Sequence, residues 1–149
     1  MLAYRKVKLV YYGSLINVGN PIKTSQDAVA RIKHDLSREP TEVFVALLLD
    51  GRHYAIGEYE ISRGTLTTSL VHPRETFRIA IKKGAAAIIV AHNHPSGNPY
   101  PSQEDKSLTD RLVKTGNLIG IPVIDHIIIG SNINWSLRET NSEIFTENY

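Results

Sequence analysis

The chain has 149 residues, long enough for one domain with a genuine core and too short for two. A hydrophobic content of 42%, a charged content of 21% and a net charge of +2 are ordinary for a globular domain and carry no large electrostatic commitment to nucleic acid or anionic lipid. Cysteine is absent, which excludes disulfides, thiolate zinc sites and cysteine nucleophiles, while the lack of a membrane-length apolar run or a signal-peptide core makes the cytoplasm the expected location.

Residues 1–23 mix basic side chains with the apolar patch Leu9-Val10-Tyr11-Tyr12 and end near the turn residues Gly19-Asn20-Pro21. They read as a short strand or arm packed on the domain that follows. Thr24 or Ser25 then caps a helix whose apolar face is Val29, Ile32 and Leu36, and Pro40 stops it. Glu42–Leu49 is a strongly apolar strand, Asp50-Gly51 a hairpin turn and His53–Ile61 the returning strand. Arg63-Gly64 turns the chain again, and Thr65–Val71 has the β-propensity of a third strand. Pro73 suits the first turn of a helix, with Phe77, Ala80 and Ile81 as its apolar face and Gly84 as its stop.

Ala85–Ala91 reads as a buried strand, followed by the turn-rich loop Pro95–Pro101 and a helix over Ser102–Thr115 closed by Gly116. Ile121–Ile129 and Ile133–Leu137 are the last strands, joined by a turn at Gly130-Ser131-Asn132. The polar segment from Glu139, including the tail 140–149, is expected to fray. This order of strands and helices predicts an α/β fold, a mixed sheet flanked by helices.

The chemistry gathers where the strand Ala85–Ala91 ends. His92 and His94 are two residues apart, so an extended backbone sends both imidazoles to one face. Asp105 lies in the first turn of the next helix and can return toward the strand end. Two imidazoles and a carboxylate suit Zn²⁺ with a fourth position open to water, the arrangement of a catalytic site. Ser102 and Asp105 also make sense without a metal, as a helix N-cap and an acidic first-turn residue.

The joint pattern His92-x-His94-x7-Ser102-x2-Asp105 resembles the JAMM signature of JAB/MPN-type zinc metalloproteases. Gly64-Thr65-Leu66, Val71-His72-Pro73-Arg74-Glu75, the run Ala85–Gly97 and Asp125-His126 resemble the bacterial RadC branch of that family. The likeness covers roughly residues 24–139. It implies an α/β sandwich similar to cytidine deaminases, zinc held by His92, His94 and Asp105, and a metallopeptidase acting on a peptide or modified-protein amide bond. It also implies that Ser102 donates to the developing oxyanion. RadC proteins usually carry an N-terminal helix-hairpin-helix segment, and the short run before residue 24 predicts a stand-alone JAB domain here.

A general base is still required. Of the upstream glutamates, Glu58 and Glu60 alternate with Tyr59 and Ile61 on an expected solvent face, and Glu75 has a role at a helix start. Glu42 opens the face that continues through Phe44, Ala46 and Leu48, where a carboxylate is partly desolvated and suited to proton shuttling. The JAMM pattern likewise places its glutamate at the start of an early strand, so Glu42 is the expected base. Asp125-His126 admits two readings, a partner orienting a zinc-binding histidine or a polar pair satisfied locally at a strand kink. His72-Pro73-Arg74-Glu75 is read as a rigid helix start, and His34 and His53 are assigned no role.

The same residues argue against other functions. A zinc deaminase needs a Pro-Cys-x-x-Cys segment, which a chain without cysteine cannot supply. An HNH-type nuclease is disfavoured because residues 95–105 contain no Lys or Arg to meet phosphate. A DNA-repair-associated protein finds little support in the charge, and no specific nucleic-acid partner is expected. A non-catalytic binding module would be expected to have lost a ligand or the base, and every ligand is present, which favours an active enzyme.

Overall fold

A computed structural model describes residues 13–14, 19–32, 35–64 and 71–146, with only the backbone described at 13–14. The arm patch Leu9–Tyr12, His34 and all but the last residue of the third strand expected over Thr65–Val71 lie outside these residues. Six strands form one sheet: β1 (Gly13–Ser14), β2 (Val43–Leu49), β3 (Ala55–Arg63), β4 (Ala87–Asn93), β5 (Val123–Ile129) and β6 (Asn134–Ser136). Their spatial order is β1-β3-β2-β4-β5-β6, and every neighbouring pair is antiparallel except the parallel β4 and β5.

Two apolar clusters, one on each face, hold helices against this sheet. Phe44, Ala46, Leu48, Ile88 and Val90 face α2 (Pro73–Lys82) and α3 (Gln103–Ile119), burying Phe77, Ile79, Leu108 and Leu112. Val43, Val45, Leu47, Leu49, Ile89 and Ile127 turn the other way, toward α1 (Ser25–Arg31) and Leu36. β2 and β4 are buried along their whole length because both of their faces are covered, which is why they read as continuous apolar runs. The mixed sheet flanked by helices is thus the α/β fold expected of a JAB/MPN domain.

Several details depart from the sequence expectation. α1 stops at Arg31, and Leu36 enters a separate 3-10 turn (Leu36–Arg38) where it is buried. A single helix to Pro40 is overridden because so short a helix depends on packing, and the sheet face takes Leu36 in another geometry. α3 runs through Gly116 to Gly120, which adopts φ +78 as the left-handed cap. Gly116 is a packing glycine, since a Cβ there would meet the Ile121 carbonyl oxygen at 2.5 Å and the Phe77 ring at 3.2 Å.

Glu58 is also not on a solvent face: only 1% of its surface is exposed, and Glu60 is half-buried. Glu58 lies opposite Leu47 in the ladder, on the helix-covered α1 side. The described part of the segment expected to fray instead forms α4 (Leu137–Thr140) and a 3-10 turn (Ser142–Phe145), where Ile144 and Phe145 pack on the α2/α3 cluster; residues 147–149 lie outside the described residues. No helix of the described residues is long and apolar enough to cross a membrane.

Candidate metal centre

β4 and β5 run parallel, so they end at the same edge of the sheet, the position where open α/β sheets commonly bind ligands. Strand alternation brings His92 to the α3 side of β4, fully buried and opposite Phe44 of β2, with the two rings stacked 6.1 Å apart. His94 lies just past the strand end. Its N–H still donates to the Ile129 carbonyl at 3.2 Å, so the extended path persists and His94 emerges on the same side as His92.

The following loop is pinned at its centre. Gly97 has φ +82, its N–H donates to the His94 carbonyl at 2.9 Å, and its own carbonyl accepts from the Ser131 N–H at 3.1 Å. Ser102 then opens α3 with a capping box: its hydroxyl accepts the Asp105 N–H at 3.1 Å, and Asp105 Oδ2 accepts the Ser102 N–H at 2.8 Å. This reciprocal cap turns the Asp105 carboxylate back over the helix start and toward the two histidines.

The result is a compact cluster in which the Asp105 carboxylate faces both histidines, one oxygen to each. His92 Nε2 lies 3.0 Å from His94 Nε2 and 3.1 Å from Asp105 Oδ1, and His94 Nε2 lies 3.1 Å from Asp105 Oδ2. Atoms bound to one tetrahedral zinc at its usual bond lengths sit about 3.3 Å apart, close to the 3.0 Å between the two histidine nitrogens, and with one Asp105 oxygen the three donors lie within 4.8 Å of one another and could hold a metal ion. The His94 ring fits as well: Nδ1–H donates to the Asn98 carbonyl at 2.7 Å, so in the neutral ring the lone pair is on Nε2, the atom facing His92 and Asp105. Among the described residues, this is the group of three or more His, Asp or Glu side chains able to hold a metal ion.

Electrostatics point the same way. Burial works against the Asp105 charge, but contacts with His92 and His94 and the Ser102 N–H outweigh it and hold the carboxyl far below the ordinary carboxylate range. The hydrogen bond with Asp105 raises the His94 pKa despite burial, with the Asn98 carbonyl and the Glu42 charge adding to the effect. A carboxylate facing two ring nitrogens favours positive charge between them, whether supplied by protons or by a metal ion.

Glu42 reaches this site through long-range pairing. Phe44 pairs with His92, and continuing that antiparallel register by two residues sets Glu42, half-buried, beside His94. Asp125-His126 divides between its two readings. Asp125 is satisfied locally by the Ser136 hydroxyl at 2.7 Å and the N–H groups of His126 and Arg138 at 2.7 and 3.0 Å, with burial pushing its pKa up. His126 instead reaches the centre, its Nε2 lying 2.7 Å from His92 Nδ1. Burial pushes its pKa well down.

His72 and Pro73 form the expected helix start, the His72 ring accepting the Arg74 N–H while Glu75 pairs with Arg78. His53 lies in the β2–β3 turn at φ +64.

Two contributors escaped the sequence reading. Asn93, between the histidines, points to the opposite face and is 1% exposed; its Oδ1 accepts the Val43 N–H at 2.7 Å, and its Nδ2 donates to the Thr41 carbonyl at 2.9 Å. It therefore holds the residues on either side of Glu42. A polar residue inside an apolar strand signals such bonding, because buried amides need partners. Thr109 lies one turn below Asp105, with its hydroxyl 2.6 Å from His126 Nδ1. Nothing in its spacing distinguishes it from an ordinary helix threonine.

The profile of the RadC-like JAB domain matches residues 22–142. A UPF0758 protein of Clostridioides difficile is 54% identical over 98 residues, covering 66% of this chain and 42% of that protein. Another, from Desulforamulus reducens, is 48% identical over 117 residues, covering 78% and 52%. A third, from Thermosynechococcus vestitus, is 49% identical over 112 residues, covering 75% and 45%. The chain thus spans about half the length of these curated relatives. With the profile matched along most of its length and the strand–loop–helix site intact, the chain belongs to the RadC family of JAB-domain proteins.

Proposed function

We propose that this chain is a zinc-dependent hydrolase of amide bonds, a JAMM-type metallopeptidase acting on a peptide or modified-protein substrate. The observation that carries the reading is the convergence of His92 Nε2, His94 Nε2 and the Asp105 carboxylate within 3.0–3.1 Å of one another. Those three side chains are the ligands of the proposed centre. When bound, zinc supplies Lewis acidity, giving a nucleophile from water at neutral pH and a polarised scissile carbonyl.

The protein's own groups carry the remaining steps. Glu42, on the face of His92 and His94, takes the proton of the attacking water and delivers it to the leaving amine. Ser102 uses an oxygen lone pair to accept the Asp105 N–H, so its hydroxyl proton remains available to the developing oxyanion. Capping α3 and donating to the substrate are compatible roles for one hydroxyl.

Elemental analysis of protein purified without chelator, joined to an unbiased peptide-library cleavage assay, tests the reading. One zinc per chain and cleavage are expected for the wild type. Glu42→Gln is expected to keep zinc and fold while losing cleavage. Metal-free wild-type protein would refute the zinc centre, and undiminished turnover in Glu42→Gln would move the base to another residue.

A further inference from the structure

The hydrogen bonds behind His92 have a direction. Thr109 Oγ1 lies 2.6 Å from the Asp105 carbonyl oxygen and 2.6 Å from His126 Nδ1. A hydroxyl has one proton, and a carbonyl oxygen can only accept. The Thr109 proton therefore goes to Asp105, and the Thr109 oxygen must accept from the His126 ring, which fixes the His126 proton on Nδ1.

His126 is fully buried, with Phe44 edge-on to its ring at 5.6 Å and His92 and Thr109 at its two nitrogens. A second proton would place a cation in the core with no carboxylate bonded to the ring, which burial disfavours. Its Nε2 is therefore bare and accepts the proton of His92 Nδ1 across 2.7 Å. With its Nδ1 committed to His126, His92 turns Nε2 to His94 and Asp105, and that is the ring nitrogen left to bind an ion.

We infer that Thr109 and His126 form a relay that sets the tautomer of His92 and aims its Nε2 lone pair at the metal position. Both are positioning residues, and the inference rests on the metal reading above. The relay starts at the backbone of one ligand residue, Asp105, and ends on the ring of another, so it ties α3 to β4 through β5. It also depends on an irregularity in β5. Ile88 pairs with Val123 but Ile89 pairs with Asp125, so one extra residue is taken up between them. Without that bulge, strand alternation would turn His126 to the opposite face.

Nitrogen-15 NMR of the histidines in the metal-free full chain tests the tautomers directly. His92 and His126 are both expected to carry a proton at Nδ1, with His126 bare at Nε2; a bare His92 Nδ1 overturns the relay. Zinc affinity, measured by competition with a chromophoric chelator, provides the second arm. Thr109→Val keeps the side-chain shape without the hydroxyl and is expected to bind zinc about 10- to 100-fold more weakly, while Thr109→Ser restores affinity. Thr109→Val with wild-type affinity overturns the relay. Wild-type protein that takes no zinc refutes the metal reading instead, and the tautomer measurement still decides the relay.

Discussion

Asn93→Ala tests whether the proposed base is held by the residue between the two histidines. The Asn93 side chain bridges β4 to the start of β2 by accepting the Val43 N–H and donating to the Thr41 carbonyl. Val43 is fully buried, so truncation leaves its N–H without a partner, at a cost of about 1–3 kcal/mol. Thr41 is exposed, and water can replace the bond to its carbonyl; losing the net contribution of the amide's own hydrogen bonds adds roughly 1 kcal/mol. The expected total is about 2–4 kcal/mol, a large share of a typical domain stability of about 5–15 kcal/mol. Urea unfolding followed by circular dichroism should show a lower midpoint with an unchanged slope. Zinc affinity should hold within about threefold, because the ligands hang on β4 and α3, whereas peptide cleavage should fall as Glu42 loses its backbone support. An unchanged unfolding midpoint would refute the bridge, and undiminished cleavage would separate it from Glu42.

Three other outcomes are expected. His92→Ala, His94→Ala and Asp105→Ala should each lose zinc by elemental analysis, since each removes one of three converging donors; full retention in any of them would remove that residue from the ligand set. The stability of the metal-free protein should fall by up to about 1.4 kcal/mol per pH unit as pH drops below about 6.5, because the unfolded chain protonates His126 there while the folded one does not. His94 acts oppositely: its raised pKa contributes stability that is fully present below 6.5 and lost as pH rises through the folded value. Urea titrations across pH should therefore show an optimum near 6.5, and an acid limb that persists undiminished in His126→Phe would assign that limb elsewhere. DNA binding, finally, should be weak, salt-sensitive and without base preference, given a net charge of +2; sequence-selective binding at physiological salt would contradict this.

The core of the site was legible because its geometry is local. A two-residue spacing on extended backbone sends His92 and His94 to one face whatever surrounds them, and Ser102-x-x-Asp105 at a helix start folds the carboxylate back through its own capping box. Turn chemistry similarly places the β2–β3 hairpin and the start of α2. One face of an apolar strand singles out Glu42 as a candidate, yet its place beside His94 depends on the register between β2 and β4, a pairing across some fifty residues of chain. Gly116 looked like a helix stop until the packing of Phe77 and Ile121 gave it another purpose, and Glu58 looked exposed until a helix-covered sheet face buried it. The face taken by His126 is decided by one bulge in β5, and the partners of Asn93 by where β2 enters the sheet. Short spacings on a single strand or helix are set by backbone geometry, whereas registers, bulges and burial follow only when distant segments compete for the same core and every buried polar group must find its partner.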